Sequence, residues 1–537
     1  MSCGRWKRVW LGAASVFAAA GCLGERSTAP SQPPVTVALG PAAYALYPGS
    51  GTGLALNFPA ADTGGAQYLV VGQLATSVPD LYAAFDLVGS AGAAAVGAAR
   101  PAERRPPPAS VRFHERLLSL DARAARASAG YRPTAAAPAR VTAPVLGSVR
   151  AFTVCGDIYC QGLVAVNAKA LYVGAHAAIY EDTLAPQGGF AAADVQQLGA
   201  QVDSVLYPID TLAFGAPSDI DANGVVLILL TPLVNELTPS ADCQSPIEGY
   251  SLGEDLAPST RAQFNDGEVF YGVVPDPSGT LGGCTLTTPA ALAALAPTFT
   301  HEFQHMISFN QHVLIRGGDP EVLWLNEGLS RLAEELAGLH YDSLGADSAG
   351  SDFLLGNLYN AFLYEETPTP NPLVTVTSPT ALETAGAGWL FLRYLVDQYG
   401  PGVTQRLEQT ALQGGSNVAG VTGVPLSTLL GRWALAMYVS DLAGFTPDPA
   451  LTYRSWEFRS TFLALNQQFP QAFDRPFPLV PGAAAGGAFS LVNVAASGSG
   501  TYLIVTQAAS GPAFSLTFTV ENIGATTAPQ LAVVRLR

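Results

Sequence analysis

The chain has 537 residues, 49% of them apolar and 13% charged, which supplies apolar side chain for sizeable cores and excludes general disorder. A length of this order fits about two to four domains better than one. The net charge of −16 and the pI near 4.7 remove the electrostatic basis for a nucleic-acid role, and acidity alone selects no other partner.

The amino terminus has the layout of an export signal. Arg5, Lys7 and Arg8 form a positive start, Val9 to Ala20 an apolar stretch, and Ala19-Ala20-Gly21-Cys22 ends it with small residues before a cysteine. The expectation is a lipoprotein signal peptide over residues 1–21, resembling a bacterial lipobox, with Cys22 as the lipidated first residue of the mature chain. That would anchor the protein to the cell envelope (outer membrane or cell surface). Ala19 stands where Leu is more usual, so ordinary signal-peptidase cleavage nearby, and secretion, is the alternative. The apolar stretch is too short to span a bilayer, and no later run reaches the ~18 apolar residues that a spanning helix needs.

Residues 22–33 are a polar, Pro-containing tether. Over 34–93 short apolar runs (VTVAL, YALY, LALNF, QYLVVGQL) alternate with turn residues, the pattern of an N-terminal β domain. Residues 94–148 make a Pro/Ala/Arg-rich linker with a helix from Ser110 to Ala129. His114 on that helix is read as a surface residue. The Arg-rich patches fit either a cleavable pro-region boundary or an exposed basic linker.

The main domain is expected over 149–470. Asp219, Asp221 and Asn223 in a D-x-D-x-N-G run resemble the first half of a calcium loop, since oxygen side chains at alternate positions suit a hard cation. Leu230 stands where an EF-hand needs its bidentate Glu, so the run is no EF-hand, and an Asx-rich turn between strands is the preferred reading. Val269 to Val274 reads as a strand, an edge along which a substrate backbone could lie. Setting aside Cys3 and Cys22, four cysteines remain, which in an exported chain implies two disulfides. Cys155 with Cys160 and Cys243 with Cys284 is the pairing expected. A four-Cys zinc site would need paired C-x-x-C spacing, which is missing.

The stretch richest in chemistry runs from Thr300 to Glu335. His301-Glu302-Phe303-Gln304-His305 is an H-E-x-x-H sequence, expected on a helix that starts after Pro297 with Thr298 or Thr300 as cap. Residues four apart share a helical face, so His301 and His305 can close on one zinc ion, while Glu302, turned roughly 100° away, is placed for a water beside it. A third protein ligand is then required. A metzincin scheme needs Gly and His where Ser308 and Gln311 stand; His312 is one residue off that spacing. A gluzincin scheme needs a Glu on a second helix, and Trp324-Leu325-Asn326-Glu327-Gly328 offers Glu327, with 21 residues (306 to 326) between it and His305. Two surface histidines beside a carboxylate are the plain alternative.

THEFQHMISFNQH followed by WLNEGLSRLAEE resembles the hyicolysin-like neutral metallopeptidases, which are zinc gluzincins, and WLNEG is similar to the ligand-bearing helix of the aminopeptidase-N group. The resemblance implies an α+β fold: a gluzincin-type metallopeptidase domain flanked by small all-β domains. It implies His301, His305 and Glu327 as zinc ligands and Glu302 as catalytic general base. G-x-M-E-N, which reads a free amino terminus in the second group, occurs nowhere, so endopeptidase activity is expected. Arg331 occupies the position where a thermolysin-type site has a supporting Asp. Glu334, seven residues after Glu327 and on the same face, is the substitute, with a solvated face for Glu334 and Glu335 as the alternative. Relatives imply an oxyanion-stabilising Tyr just before GAGWLF, where this chain has Thr384 and Ala385. Tyr359, Tyr364, Tyr394 and His340 remain as candidates.

Beyond Glu335 the apolar spacing is helical over Gly386 to Tyr399, Val403 to Gln413 and Leu426 to Leu442, and residues 477–537 return to alternating β runs, a C-terminal β-sandwich domain. The functional expectation is a zinc-dependent endopeptidase acting on peptides or proteins outside the cytoplasm, held at a membrane through lipid on Cys22. The rival is a catalytically silent metallopeptidase-like lipoprotein used in adhesion or binding.

Overall fold

A computed structural model describes residues 33–50, 53–91, 108–130, 143–186, 188–376, 382–521 and 527–537. The expected signal peptide, Cys22 and most of the tether and linker segments lie outside the described residues. The strands are β1 (Val35–Thr36), β2 (Tyr44–Pro48), β3 (Gly53–Phe58), β4 (Ala66–Leu74), β5 (Tyr82–Gly89), β6 (Val149–Cys155), β7 (Leu163–Val173), β8 (Ala177–Asp182), β9 (Val226–Leu230), β10 (Gly249–Ser251), β11 (Val269–Gly272), β12 (Gly482–Ala485), β13 (Ser490–Ala496), β14 (Gly500–Gln507), β15 (Phe514–Val520) and β16 (Pro529–Arg535). The helices are α1 (Ala109–Ala127), α2 (Ala192–Gln201), α3 (Tyr207–Phe214), α4 (Pro232–Glu236), α5 (Gly253–Leu256), α6 (Thr288–Phe309), α7 (Leu323–Ser343), α8 (Asp347–Glu366), α9 (Leu382–Tyr399), α10 (Gly402–Glu408), α11 (Gly414–Thr422), α12 (Leu426–Val439) and α13 (Phe458–Gln468). Helices and strands interleave from β8 to β11, while α6 to α13 form one helical run and the remaining strands lie toward the two ends, an α+β arrangement.

The two β segments form one sandwich, not the two separate domains expected from the alternation. Its sheets run β1-β3-β15-β5-β13 and β12-β14-β4-β16-β2. Among the described residues, only β1 and β3 pair with each other within the N-terminal segment, and only β12 and β14 within the C-terminal one. The remaining ladders join the two ends: β5 takes β13 and β15, and β4 takes β14 and β16. Neither segment can cover its own apolar face. Leu56, Phe58, Val70, Phe85, Leu87, Leu516, Phe518 and Val533 fill the space between the sheets. Leu69, Val71, Ala532 and Val534 point the other way, into the core shared with α12. Burial on both faces explains why β4 reads as a continuous apolar run.

The central sheet begins at Val149 and runs β10-β11-β9-β8-β7-β6. The pairs β8·β9 and β9·β11 are parallel and the others antiparallel. The expected edge at Val269–Val274 is covered, because β10 pairs with β11 and takes the rim itself. Behind the sheet lies α6, longer than its sequence suggested. Thr287 caps it by accepting from the Ala290 N–H, and Pro297 is inside the helix rather than ahead of it. Proline removes one intrahelical bond there, and the burial of Ala291, Leu295 and Phe299 on either side of it holds the helix together.

Helix α7 is fixed by what its carboxylates and glycines touch. Glu335 is fully buried and accepts from Trp389 Nε1 (2.9 Å), Trp456 Nε1 (2.6 Å) and Arg393 (3.1 Å), so the solvated-face reading fails for it. A Cβ on Gly328 would lie 3.1 Å from the Gly388 carbonyl oxygen and 2.7 Å from Leu392, so the Gly of WLNEG admits α9 at close range. The disulfides are Cys155–Cys160 and Cys243–Cys284. Among the described residues no helix is long and apolar enough to cross a membrane.

The shared sandwich predicts the result of truncation. A chain ending at residue 476 loses β12 to β16, and strands β2 to β5 then expose the apolar face they bury in the full chain. It should aggregate or lose its cooperative thermal transition, read by scanning calorimetry and gel filtration. A monodisperse chain with an unchanged melting profile would mean that the two β segments are independent.

Candidate metal centre

Helices α6 and α7 pack against each other, and their contact brings together the residues the sequence singled out. Nε2 of His301 lies 3.6 Å from Glu327 Oε2, and Nε2 of His305 lies 3.3 Å from Glu327 Oε1. Donors bonded at ~2.0–2.1 Å to one tetrahedral zinc are separated by ~3.4 Å, so these spacings fit a shared ion. His301, Glu302 and His305 each offer a ligand atom within 4.8 Å of the others. The side chains of His301, His305 and Glu327 are only 13%, 9% and 9% exposed.

The outward ring nitrogens have partners that set their orientation. His301 Nδ1 is 2.6 Å from Glu334 Oε1, and Glu334 Oε2 accepts from Asn357 Nδ2 of α8 at 3.1 Å. His305 Nδ1 lies 3.1 Å from Ser330 Oγ. That hydroxyl donates to Gln304 Oε1 at 2.6 Å, and Gln304 Nε2 donates to Glu408 Oε1 at 2.6 Å. A carboxylate or hydroxyl on the far nitrogen fixes the tautomer and leaves Nε2 for a metal. Arg331, at the position where an Asp was looked for, is occupied elsewhere: it contacts Asn357 Oδ1 at 3.4 Å.

Glu302 is held from the other side. The Ser251 N–H and Oγ both donate to its Oε2, each at 3.0 Å, from edge strand β10. Its carboxylate is therefore oriented beside the two imidazoles and within reach of the sheet edge.

One further histidine is in the site, and the surface reading made for it was wrong. His114 of α1 places Nε2 2.7 Å from Glu327 Oε1, nearer than either histidine of the H-E-x-x-H stretch. His114, His305 and Glu327 again offer ligand atoms within 4.8 Å of one another. Helical spacing carried the signal: His114 is three residues before Leu117 and seven before Asp121, both turned toward the core. The charges in the cluster hold one another. Burial alone would raise the Glu327 carboxyl, but His114 first, then His301 and His305, hold it well below the usual carboxylate range. Burial likewise works against a proton on His301, and Glu327 and Glu334 override it, pushing its pKa up to about 10. The pKa of His114 is raised too, with Glu327 outweighing burial.

Other expectations fail on contacts. His312 is fully buried in the wide turn after α6 and points at Glu408 Oε2, 3.4 Å away, so it is no third ligand. Tyr394 donates to the Ala450 carbonyl, Tyr364 stacks on Trp433, and Tyr359 packs edge-on against Phe473. His340 is thirteen residues beyond Glu327 along α7, ~20 Å at the rise of a helix. None of the four contacts a residue of the centre among the described residues. The calcium reading is not supported either. Asn223 Oδ1 accepts from the Val225 N–H at 2.7 Å, its amide donates to Asp221 Oδ2 at 2.8 Å, and Asp219 accepts from the Gly224 N–H at 3.1 Å. The run is an Asx turn, the reading preferred from the sequence, and its two aspartates lie beside Glu268 with ligand oxygens within 4.8 Å of one another.

Glu334 generates a direct test. Replacing it by Ala removes the His301 Nδ1 partner and should weaken zinc binding about 10- to 100-fold, measured by competition with a chromophoric chelator. Unchanged affinity would show that Glu334 does not orient the ring.

No family model matches the chain. Over 142 residues it is 28% identical to the neutral metalloprotease ShpI of Staphylococcus hyicus, a match that covers 26% of this chain and 30% of that protein. The chain thus spans less than a third of that relative's length. Among solved structures, an M1 zinc metallopeptidase mutant from Deinococcus radiodurans, bound to a Tyr-Ser-Ala substrate, aligns over 53% of this chain and 51% of that one. The identity there is 14% and the TM-score 0.24, too low to assign a fold.

Proposed function

We propose that the chain is a zinc-dependent endopeptidase that hydrolyses peptide bonds of proteins outside the cytoplasm. The observation that carries the reading is the convergence of His301 Nε2, His305 Nε2 and the Glu327 carboxylate, with Glu302 oriented alongside. The partial likeness to a neutral metalloprotease supports it. His301, His305 and Glu327 would hold the zinc, and three protein ligands of these types are the set used by hydrolytic zinc sites. The buried Glu327 Oε1, which has no aligned hydrogen-bond partner, fits that role.

Bound zinc supplies a Lewis acid that lowers the pKa of water and polarises a carbonyl. The work of the chain is to hold and move protons. Glu302, with Oε2 anchored by Ser251, keeps Oε1 to accept a proton from the attacking water and return it to the leaving amine. Next to it, edge strand β10 offers backbone groups to an extended peptide. Export, lipid attachment at Cys22 and a protein substrate belong to the same proposal and rest on the sequence.

Glu302→Gln is the sharpest probe of this reading. The amide oxygen still accepts from Ser251, so fold and metal content should be unchanged. Casein hydrolysis should fall by about 10²- to 10⁴-fold, the usual contribution of a general base. Hydrolysis at the wild-type rate would remove Glu302 from the mechanism.

A further inference from the structure

The histidine that the peptidase reading does not use lies where a catalytic zinc site ordinarily leaves room. His114 Nε2 and Glu327 Oε1 are 2.7 Å apart, both buried, and neither has an aligned hydrogen-bond partner among the described residues. That separation is shorter than the ~3.4 Å between two donors on one tetrahedral zinc, so a shift of a few tenths of an ångström would seat both atoms on a common cation. His114 shares this cluster with His305 and Glu327, and its ring is 5.8 Å from that of His305, centre to centre.

The helix that carries it is docked along its length rather than resting on the surface. Phe113 packs edge-on against Tyr250, and Leu117, Leu120, Ala124 and Ala125 are buried. At its start the Ala109 N–H donates to Asp242 (2.9 Å), beside the Cys243–Cys284 disulfide, and Ser110 Oγ meets Ser245 Oγ at 3.0 Å. Further along, Asp121 Oδ1 accepts from the Gly253 N–H at 2.8 Å, two residues past the Ser251 that orients Glu302. The docking therefore fixes where His114 points.

Resting on the zinc-site reading above, we propose that His114 is a fourth protein ligand of the metal, making α1 an internal plug that keeps substrate and water from the centre until the helix lifts. Zinc sites closed by four protein ligands are structural, while hydrolytic ones keep a position open. With α1 seated the site is of the first kind; with α1 displaced it becomes the second. The chain would thus carry its own inhibitor within the sequence, supplied by a histidine rather than by a separate protein.

The test uses the full chain loaded with cobalt(II), whose visible absorption reports its ligands, titrated with acetohydroxamate as a small bidentate metal binder. Wild-type absorption should not move, and His114→Ala should give a different spectrum that shifts on titration. A plugged site open about 0.1–10% of the time gains ~10- to 1000-fold when freed, and casein hydrolysis by the variant should rise within that range. Asp121→Ala, which frees the helix from Gly253 and removes no ligand, should move both readouts the same way and guards against a folding defect in the first variant. Identical spectra and titrations in all three proteins would overturn the proposal, as would a loss of hydrolysis in His114→Ala with its cobalt retained. If the spectra change as expected but no form cleaves casein, the fourth ligand stands and the peptidase reading falls.

Discussion

A single buried carboxylate organises the centre. Glu327 has the Nε2 atoms of His301, His305 and His114 within 2.7 to 3.6 Å, with little water to screen them. Such a cluster is costly to bury unless its charges are mutually compensated or a metal takes them up. The surrounding structure serves that arrangement. Gly328 lets α7 approach α9, Glu335 ties α7 to Trp389, Trp456 and Arg393, and Glu334 and Ser330 turn the two imidazoles of α6 to face Glu327. Edge strand β10 completes the frame by holding Glu302.

What could be read from the sequence was what is local. His301 and His305 are one helical turn apart, and Glu334 is two turns past Glu327, so spacing alone placed each pair on a face. The number of disulfides followed from the cysteine count, while the pairing Cys155–Cys160 and Cys243–Cys284 was one of three connectivities the count allowed. The sandwich was not legible because its pairing is remote: Gln67 bonds to Thr506, 439 residues away, and alternation says only that a strand has a buried face, not whose strand lies beside it. At Asp219–Asn223 the preferred Asx turn is what forms, and the calcium alternative stayed open in the sequence for a related reason. The oxygens of the turn have the spacing of a cation loop, but which of them are already taken by N–H groups depends on the folded backbone.

His114 is the instructive miss. A histidine in a stretch between Pro/Ala/Arg-rich segments invites a surface reading, and nothing local contradicts it. The contradiction comes from the helix as a whole, whose apolar stripe is continuous enough to require a partner. A charged or metal-binding residue on the margin of such a stripe is carried into whatever the stripe docks against. Here the stripe docks beside the candidate metal centre, so ordinary packing joins the proposed plug to the proposed catalytic site.

The central claim concerns ligands, so the measurement that tests it most directly is anomalous diffraction at the zinc edge from crystals of the metal-loaded chain. The account predicts one strong peak between α6 and α7, with His301 Nε2, His305 Nε2 and a Glu327 oxygen at ~2.0–2.2 Å from it. A crystal with no peak there, or with its metal elsewhere and the Glu327 side chain turned away, would contradict it.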